Sequence, residues 1–237
     1  MKVWAHRGAS AYAPQNTLEA FRLAAEIGAD GIELDVHLSK DGELIVCHNE
    51  TIDATSDGQG EIAQMTLAEL KRFDFGCKFP GFAGKGVTVP TLREVYELIA
   101  PTGLLVDCEL KTNVYAYPGI EQKCIDMAEE FGMRDRIVYS SFNFDSLQRL
   151  LAIDPEVRTA LLYEDPLEDA LATALKQRAW ALHPYYPRVY DYDAAAFAAA
   201  GVVVNPWTVD DPEEMKRQRD LGVYALITDK PDLALRL

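Results

Sequence analysis

The sequence has few cysteines, few basic residues and no long apolar run, and each shortage excludes a class of protein. Its four cysteines show no C-x-x-C spacing, so neither a zinc site nor a redox pair is indicated. The longest nearly unbroken apolar run, Ala194–Val204, is too short for a transmembrane helix, which needs about 20 residues. We therefore expect no stable membrane anchor, and a chain of this length needs no disulfide framework.

Basic residues are outnumbered by acidic ones. The chain has 23 Lys and Arg against 38 Asp and Glu, a formal net charge of −15. Most of such a surface repels nucleic acid and anionic membranes, so we expect neither as a partner. A small anionic substrate needs only a local positive site and stays compatible with this charge. The N-terminal residues place charge and glycine where a signal peptide has its apolar core, which favours a cytoplasmic location.

Short β-branched runs alternate with longer helical stretches along the chain. The strand-like runs are Val3–Ala5, Gly31–His37, Leu44–His48, Leu104–Leu110, Ile137–Phe142, Thr159–Tyr163, Ala181–Tyr186, Val202–Trp207 and Tyr224–Thr228. The helical candidates are Thr17–Ile27, Leu92–Ile99, Ile120–Phe131, Phe144–Ile153, Pro166–Lys176, Ala194–Ala199 and Pro212–Leu221. This alternation predicts β/α units that form a parallel sheet covered by helices.

One pair of strand runs is too close together to hold a helix. Between Gly31–His37 and Leu44–His48 the chain carries Asp41-Gly42, a strong hairpin signal. If the second run is a returning hairpin arm, eight parallel strands remain. The sequence therefore predicts an α/β fold, a (β/α)8 TIM barrel in one catalytic domain over residues 1–237. A doubly wound open sheet is the alternative.

The hairpin also predicts the position of a histidine. With Asp41-Gly42 inside a two- or four-residue turn, cross-strand pairing places His48 opposite Asp35 or Glu33. Both registers put this imidazole on the face that carries the two carboxylates. His37 is interpreted as lying on the opposite face, outside the site.

The first helix carries start and stop signals. Asn16, with Glu19 three residues later, predicts the N-cap, and Gly28 predicts the end.

Residues 49–90 interrupt the alternation. Glycine, proline and lysine accumulate there, together with Phe73, Phe75, Phe79 and Phe82. A segment of this kind after a barrel strand predicts an insertion on the functional face, and we interpret it as a capping segment. The alternative is an ordered loop whose phenylalanines only pack against the barrel.

Ionisable residues gather at the predicted carboxyl ends of the strands, where the functional site of a barrel lies. Glu33 and Asp35 alternate with apolar residues and so share one face of the second strand. Glu109 and Lys111 share one face of the next parallel strand. These side chains are expected to converge inside the barrel mouth.

Three converging carboxylates need a counter-charge. Glu33, Asp35 and Glu109 would repel one another if all were ionised, so the pKa of at least one would rise. A divalent cation removes this repulsion, and an all-oxygen ligand set suits Mg²⁺ or Ca²⁺. We predict one such ion. The alternative is a structural ion-pair network with Arg7 and Lys111.

Two histidines flank this predicted site. His6 and His48 are candidates for a general acid and a general base, because histidine titrates near neutral pH. Arg7 and Lys111 would hold an anion beside them. A metal, two histidines and two fixed cations together fit phosphoryl transfer to water.

Nine stretches of the sequence, in order, resemble motifs of the glycerophosphodiester phosphodiesterase family. They are AHRGAS (5–10), PQNTLEAF (14–21), GADGIELDV (28–36), KDG (40–42), VCH (46–48), PTL (90–92), ELK (109–111), WTV (207–209) and TDKP (228–231). Their number and order make the resemblance specific, although no single stretch would.

The resemblance implies a metal-dependent TIM barrel with a small insertion after the second strand. It assigns the metal ligands to Glu33, Asp35 and Glu109, the acid/base pair to His6 and His48, and substrate binding to Arg7, Lys111 and Trp207. The implied reaction, part of lipid and glycerol metabolism, hydrolyses a small glycerophosphodiester to glycerol 3-phosphate and an alcohol such as choline or ethanolamine.

One residue departs from the family pattern. Gln15 stands where the family usually has Glu, which keeps the hydrogen-bonding reach but removes a negative charge. Lower activity, weaker metal binding or a changed substrate preference are the alternatives that follow.

Two other functions stay open. A lysophospholipase D-type phosphodiesterase would act on a larger lipid, against which the acidic surface and absent anchor argue. A non-catalytic metal- or phosphate-binding barrel has only Gln15 in its support. The oligomeric state does not follow from the sequence.

Overall fold

The chain folds into a nearly closed barrel of parallel strands. The computed structural model describes residues 1–237, the side chain of residue 194 excepted. The strands are β1 (Lys2–Ala5), β2 (Gly31–Leu38), β3 (Leu44–Val46), β4 (Leu105–Leu110), β5 (Ile137–Ser141), β6 (Arg158–Tyr163), β7 (Ala181–Pro184), β8 (Val203–Val204) and β9 (Ala225–Thr228). All except β3 run parallel, in the order β8-β7-β6-β5-β4-β2-β1-β9. The predicted TIM barrel is confirmed.

Helices cover the outside of the barrel. They are α1 (Leu18–Ile27), α2 (Leu67–Leu70), α3 (Leu92–Ile99), α4 (Ile120–Glu130), α5 (Phe144–Ile153), α6 (Ala170–Lys176), α7 (Ala194–Ala199), α8 (Pro212–Asp220) and α9 (Pro231–Ala234). Short 3₁₀ turns occupy Ile62–Gln64, Ala100–Thr102, Arg134–Arg136 and Tyr186–Asp191. Among the helices that the structure describes, none has both the length and the apolar character needed to span a bilayer.

Between β8 and β9, the two edges of the sheet, backbone hydrogen bonds outside the strand ladders connect the chain. Tyr224 N donates to Val204 O, and Ile227 N donates to Pro206 O, both at 3.0 Å. The strand predicted over Val202–Trp207 extends only over Val203–Val204. Pro206 explains the difference, because it has no N–H group to donate to a ladder.

The β2–β3 hairpin differs from the predicted register. Val36 pairs with Val46, and Ser39 N donates to Glu43 O at 3.0 Å, so the loop has three residues and ends on Gly42 at φ 82°. This register would place His48 on the face opposite the carboxylates, so the pairing argument was wrong. His48 lies beyond the end of β3, where the strand alternation no longer fixes its direction.

Helix α1 begins one residue later than predicted. The Thr17 side chain accepts a hydrogen bond from Ala20 N, so Thr17 is the N-cap and Asn16 is free for another contact. Gly28 ends the helix in the left-handed region, as predicted. At the other side of the loop, Gly8 has φ 81°, and a Cβ there would lie 2.6 Å from the Ala20 backbone. Only glycine lets the loop after β1 approach the helix this closely.

Residues 49–90 contribute to a separate apolar cluster. Its buried members are Ile45, Cys47, Ile52, Ile62, Leu70, Phe75, Val87 and Val89. Phe73 and Phe82 pack against this cluster, and Phe79 stacks edge-on against Phe82 at 5.6 Å. The phenylalanines thus contact one another and the residues of this segment.

Candidate active site

A cavity of about 290 Å³ opens at the carboxyl ends of the barrel strands. Its walls are formed by His6, Arg7, Glu33, His48, Asp107, Glu109, Ser140, Phe142, Leu162, Trp207 and Ile227. One side is ionic, and the other is mostly apolar. Six of the eight predicted site residues line this cavity. Asp35 and Lys111 lie behind its ionic side, in contact with residues that line it.

Strand register brings the three predicted carboxylates together. In the parallel pairing of β2 with β4, Asp35 lies opposite Glu109 and Glu33 lies opposite Asp107. One oxygen from each of Glu33, Asp35 and Glu109 falls within 4.8 Å of the others, and all three residues are buried. The alternation with Ile32, Leu34 and Val36 produces this, because those apolar side chains occupy the helix-facing side.

Burial makes the ionisation of these carboxylates unequal. Burial and the Asp35 charge raise the pKa of Glu33 well above its ordinary value. Burial also raises the pKa of Glu109 to about 8, against the opposing effect of Lys111. For Asp35, burial acts in the same direction, but Lys111 and Arg7 outweigh it and lower the pKa. Without further positive charge, the cluster favours protonation of two of its three members.

Asp35 also has contacts that the sequence did not predict. The side chain of Asn16 donates from Nδ2 to Asp35 Oδ2 at 2.8 Å. Asn16 adopts φ 56°, a left-handed conformation that asparagine tolerates, which turns its amide away from the helix. The other oxygen of Asp35, Oδ1, is buried and accepts no hydrogen bond among the described residues, and its ion-pair partner Lys111 Nζ lies 3.5 Å away. A carboxylate oxygen of this kind is suited to a cation.

Arg7 and Lys111 supply the fixed positive charge. Arg7 N donates to Glu33 Oε2 at 2.8 Å, and Arg7 Nε lies 3.5 Å from Asp35 Oδ2. Arg7 Nη1 donates to Gln15 Oε1 at 2.6 Å. Gln15, the residue that differs from the family pattern, therefore holds the guanidinium in place. Lys111 Nζ donates to Glu109 Oε1 at 2.8 Å. The ion-pair network that the sequence left open as an alternative is therefore present around the carboxylates.

His6 is held by a carboxylate from the last strand. Its Nδ1 lies 2.7 Å from Asp229 Oδ1, and its Nε2 lies 4.0 Å from Glu33 Oε2. Because an ionised carboxylate only accepts, Nδ1 carries the proton and Nε2 faces the carboxylate cluster. Burial opposes the ionisation of Asp229, but the hydrogen bond and charge of His6 outweigh it and lower its pKa. The sequence alone assigned no role to Asp229, which lies in the TDKP stretch (228–231).

His48 has a similar arrangement. Its Nδ1 lies 2.6 Å from Asn49 Oδ1, which leaves Nε2 available for another contact. Burial lowers the pKa of His48 and so favours the neutral ring. His37 Nε2 lies 3.2 Å from the His48 carbonyl, and Tyr117 contacts the other ring nitrogen at 3.1 Å. Placing His37 on the opposite face was wrong, since strand alternation gives it the side of Glu33.

Trp207 heads the apolar wall of the cavity. Its Nε1 donates to His183 O at 2.8 Å, and its ring packs against Phe142 at a centroid distance of 5.8 Å. The indole is therefore fixed in place at the mouth of the barrel. A fixed aromatic face of this kind suits the carbon atoms of a small polar molecule.

Comparisons with known proteins identify the family of the chain. The model of the glycerophosphoryl diester phosphodiesterase family matches residues 6–233. The chain belongs to this family. It is 43% identical to a glycerophosphodiester phosphodiesterase of Caldanaerobacter subterraneus over 235 residues, which cover 99% of this chain and 96% of the relative. The prediction of an enzyme of the phosphodiesterase class is confirmed.

Solved structures of the family share the whole architecture. A phosphodiesterase of Oleispira antarctica in complex with the product sn-glycerol-3-phosphate superposes with a TM-score of 0.88 at 28% identity, over 100% of this chain and 96% of that one. A glycerophosphodiester phosphodiesterase of Agrobacterium tumefaciens gives 0.87 at 29% identity and full coverage of both chains. The likeness extends over the barrel and the segment 49–90 alike.

Proposed function

We propose that this phosphodiesterase hydrolyses glycerophosphodiesters to glycerol 3-phosphate and an alcohol, with one divalent cation and two histidines. The observation that carries the proposal is a cluster of three buried carboxylates, two of which line one cavity together with two histidines and an arginine. The Oleispira relative was solved with sn-glycerol-3-phosphate, which supports a small-molecule substrate. We also propose that residues 49–90 cap the site within a single domain, and that the enzyme is cytoplasmic.

Glu33, Asp35 and Glu109 would hold the cation. Their donor set is all oxygen, which suits Mg²⁺ or Ca²⁺. The residues fit such an ion, because their oxygens lie within 4.8 Å of one another, Asp35 Oδ1 accepts no hydrogen bond, and burial disfavours ionisation of the other two without further positive charge. When bound, a divalent cation neutralises charge on the phosphoryl oxygens and orients the diester.

His6 and His48 would transfer the protons of the reaction. Each ring has Nδ1 at an acceptor oxygen, so each neutral ring keeps an unprotonated Nε2. One histidine, neutral, accepts the proton of the attacking water at Nε2. The other acts as an imidazolium, protonated on both nitrogens, and donates its Nε2 proton to the leaving alcohol. Arg7 stabilises the charge on the non-bridging oxygens, and Lys111 holds Glu109 and Asp35 in position.

Trp207 would bind the carbon skeleton of the substrate. Its indole is fixed opposite the ionic side of the cavity, where it can cover the C–H surface of glycerol. This contact excludes water from one side of the reacting diester.

Metal add-back tests the proposal. Protein stripped with a chelator is given glycerophosphocholine or glycerophosphoglycerol, with Mg²⁺ or Ca²⁺ added separately, and glycerol 3-phosphate is measured. We expect release only with a divalent cation. Equal turnover without metal overturns the metal assignment. Metal binding by calorimetry without turnover of either diester indicates a binding barrel, and preferred release of the headgroup of a lysophospholipid indicates a lipid substrate.

A further inference from the structure

A second groove lies beside the active site, at the same end of the barrel. It encloses about 200 Å³ and is lined by Pro14, Gln15, Ala54, Thr55, Phe75, Lys78 and Phe79. The loop after β1 forms one wall, and the segment 49–90 forms the other. None of these residues has a role in the proposed reaction, although Gln15 contacts Arg7, which does.

The groove and the active site share a wall. Arg7 lines the active-site cavity, Gln15 lines the groove, and their side chains are joined by the 2.6 Å hydrogen bond from Nη1 to Oε1. A phosphodiester held at Arg7 has two ester arms that diverge from phosphorus. The apolar wall of the cavity comes from Phe142, Leu162, Trp207 and Ile227, whereas the groove is formed by the loop after β1 and the segment 49–90. The two arms therefore have separate places to lie.

The polar atoms of the groove are mainly donors. Lys78 presents an exposed ammonium group whose Nζ also contacts the Asp53 carbonyl. Gln15 uses Oε1 to accept from Arg7, so this contact occupies neither N–H of its amide. Thr55 adds a hydroxyl group. No carboxylate is among the lining residues, all of which the structure describes.

The charge and donors of the groove select against a cationic headgroup. The ammonium of Lys78, with the guanidinium of Arg7 behind Gln15, repels choline or ethanolamine. Hydroxyl oxygens accept hydrogen bonds from Lys78 and Gln15, whereas a quaternary ammonium has no acceptor to offer. Phe75 and Phe79 cover the carbon atoms between such hydroxyls.

We propose that this groove binds the leaving alcohol of the substrate and prefers a hydroxyl-rich headgroup such as glycerol over choline. The inference rests on the proposed hydrolysis of glycerophosphodiesters. It gives the segment 49–90 a role in substrate selection, and it gives Gln15 a reason to be uncharged, since a carboxylate there would attract cationic headgroups.

Charge reversal in the groove tests this proposal. The metal-loaded wild type, Lys78→Glu and Lys85→Glu are compared by kcat and KM on glycerophosphoglycerol and glycerophosphocholine. Lys85→Glu is the matched control, because Lys85 belongs to the same segment, makes the same change in net charge and packs over Phe82 outside the groove. Gln15→Glu is the second groove variant.

We expect the wild type to prefer the glycerol headgroup. Lys78→Glu should reduce this preference in kcat/KM about fivefold, the range for a partly screened charge, mainly through KM. Gln15→Glu should shift it in the same direction. Equal shifts in Lys78→Glu and Lys85→Glu, or a wild type without preference, overturn the headgroup assignment. Absence of glycerol 3-phosphate from both diesters would instead overturn the proposed function itself.

Discussion

The two histidines of the cavity have neighbours that suit the proposed proton transfer. Asp229 accepts from Nδ1 of His6, and Asn49 Oδ1 lies at hydrogen-bond distance from Nδ1 of His48. Each contact fixes a tautomer and leaves Nε2 as the reactive nitrogen. The neighbours differ in charge, however. Asp229 is a carboxylate and Asn49 a neutral amide, and burial lowers the pKa of His48.

Removal of either histidine tests their catalytic roles. His6→Ala and His48→Ala should each lower kcat by roughly 10²–10⁴-fold, the usual range for one general acid or base. Metal affinity measured by calorimetry should stay nearly unchanged, because neither histidine belongs to the proposed ligand set. A histidine variant with near-wild-type kcat would contradict its acid/base assignment.

Asp229 is expected to act through His6. Asp229→Asn keeps the size of the side chain but replaces a charged acceptor with a carboxamide, so the tautomer and orientation of the ring are no longer fixed. We expect kcat to fall about 10–100-fold, as for other residues that orient a functional side chain, with KM changed less. The pH dependence of kcat should change as well, since Asp229, whose pKa its contact with His6 lowers, is replaced by a group that does not titrate.

A control separates this effect from a general loss of structure. Ser10 Oγ lies 2.8 Å from the same Asp229 oxygen and 2.7 Å from the His6 carbonyl, and these two acceptors compete for its single proton. Ser10→Ala removes this hydroxyl and leaves the carboxylate in place. An equal change of the pH profile in Ser10→Ala and Asp229→Asn would indicate a structural role only.

At the scale of elements, the start of helix α1 divides two tasks between adjacent residues. Thr17 caps the helix, and Asn16 reaches across to Asp35 on β2. Helix and strand are thereby connected through the carboxylate cluster. The left-handed backbone of Asn16 makes both contacts compatible.

Matched substitutions separate these tasks. Thr17→Ala should reduce the free energy of unfolding by about 1 kcal/mol, the usual cost of a lost cap, with kcat unchanged. Asn16→Gly keeps the left-handed backbone available and removes the amide, so metal affinity and kcat should both fall, about tenfold. Denaturant unfolding and metal titration measure the two effects. An Asn16→Gly variant with wild-type metal affinity would contradict the role of this amide.

The same elements show which features of the site can be predicted from the sequence. Alternating Glu33 and Asp35 with apolar neighbours predicted the carboxylate cluster, because strand alternation is local. The hairpin register failed, because Lys40-Asp41-Gly42 fits turns of several lengths and one residue reverses the face. Asn16 was interpreted as a cap, since its contact with Asp35 depends on how the loop after β1 meets β2. Contacts of this kind depend on tertiary packing, which a local pattern does not contain.

At the scale of the whole molecule, the net charge and the site make opposite demands. The chain has a formal net charge of −15, yet its substrate class is anionic. Arg7 and Lys111 lie inside the barrel mouth. Water and salt therefore screen their charges from a ligand less than they would screen charges on the surface. The pKa values of Glu33 and Glu109 beside them are raised, so a bound cation would supply the positive charge that lets the whole cluster ionise.

Metal binding should therefore stabilise the entire fold. At a free cation concentration 100 times its Kd, a ligand that binds only the folded state contributes about 2.7 kcal/mol. For a domain of this size, that corresponds to an increase in Tm of about 5–10 °C. Thermal unfolding of chelator-stripped protein, followed by circular dichroism with and without Mg²⁺ or Ca²⁺, measures it.

Two variants assign the stabilisation to the carboxylate cluster. Glu109→Gln should lose most of the increase in Tm, because it replaces a carboxylate ligand with a neutral carboxamide and so removes one negative charge from the cluster. Glu97→Gln, on the exposed face of α3, makes the same chemical change away from the site and should keep it. An equal increase in both variants would mean that the cation stabilises the protein elsewhere, which would contradict the proposed ligand set while leaving hydrolysis itself to be tested by product release.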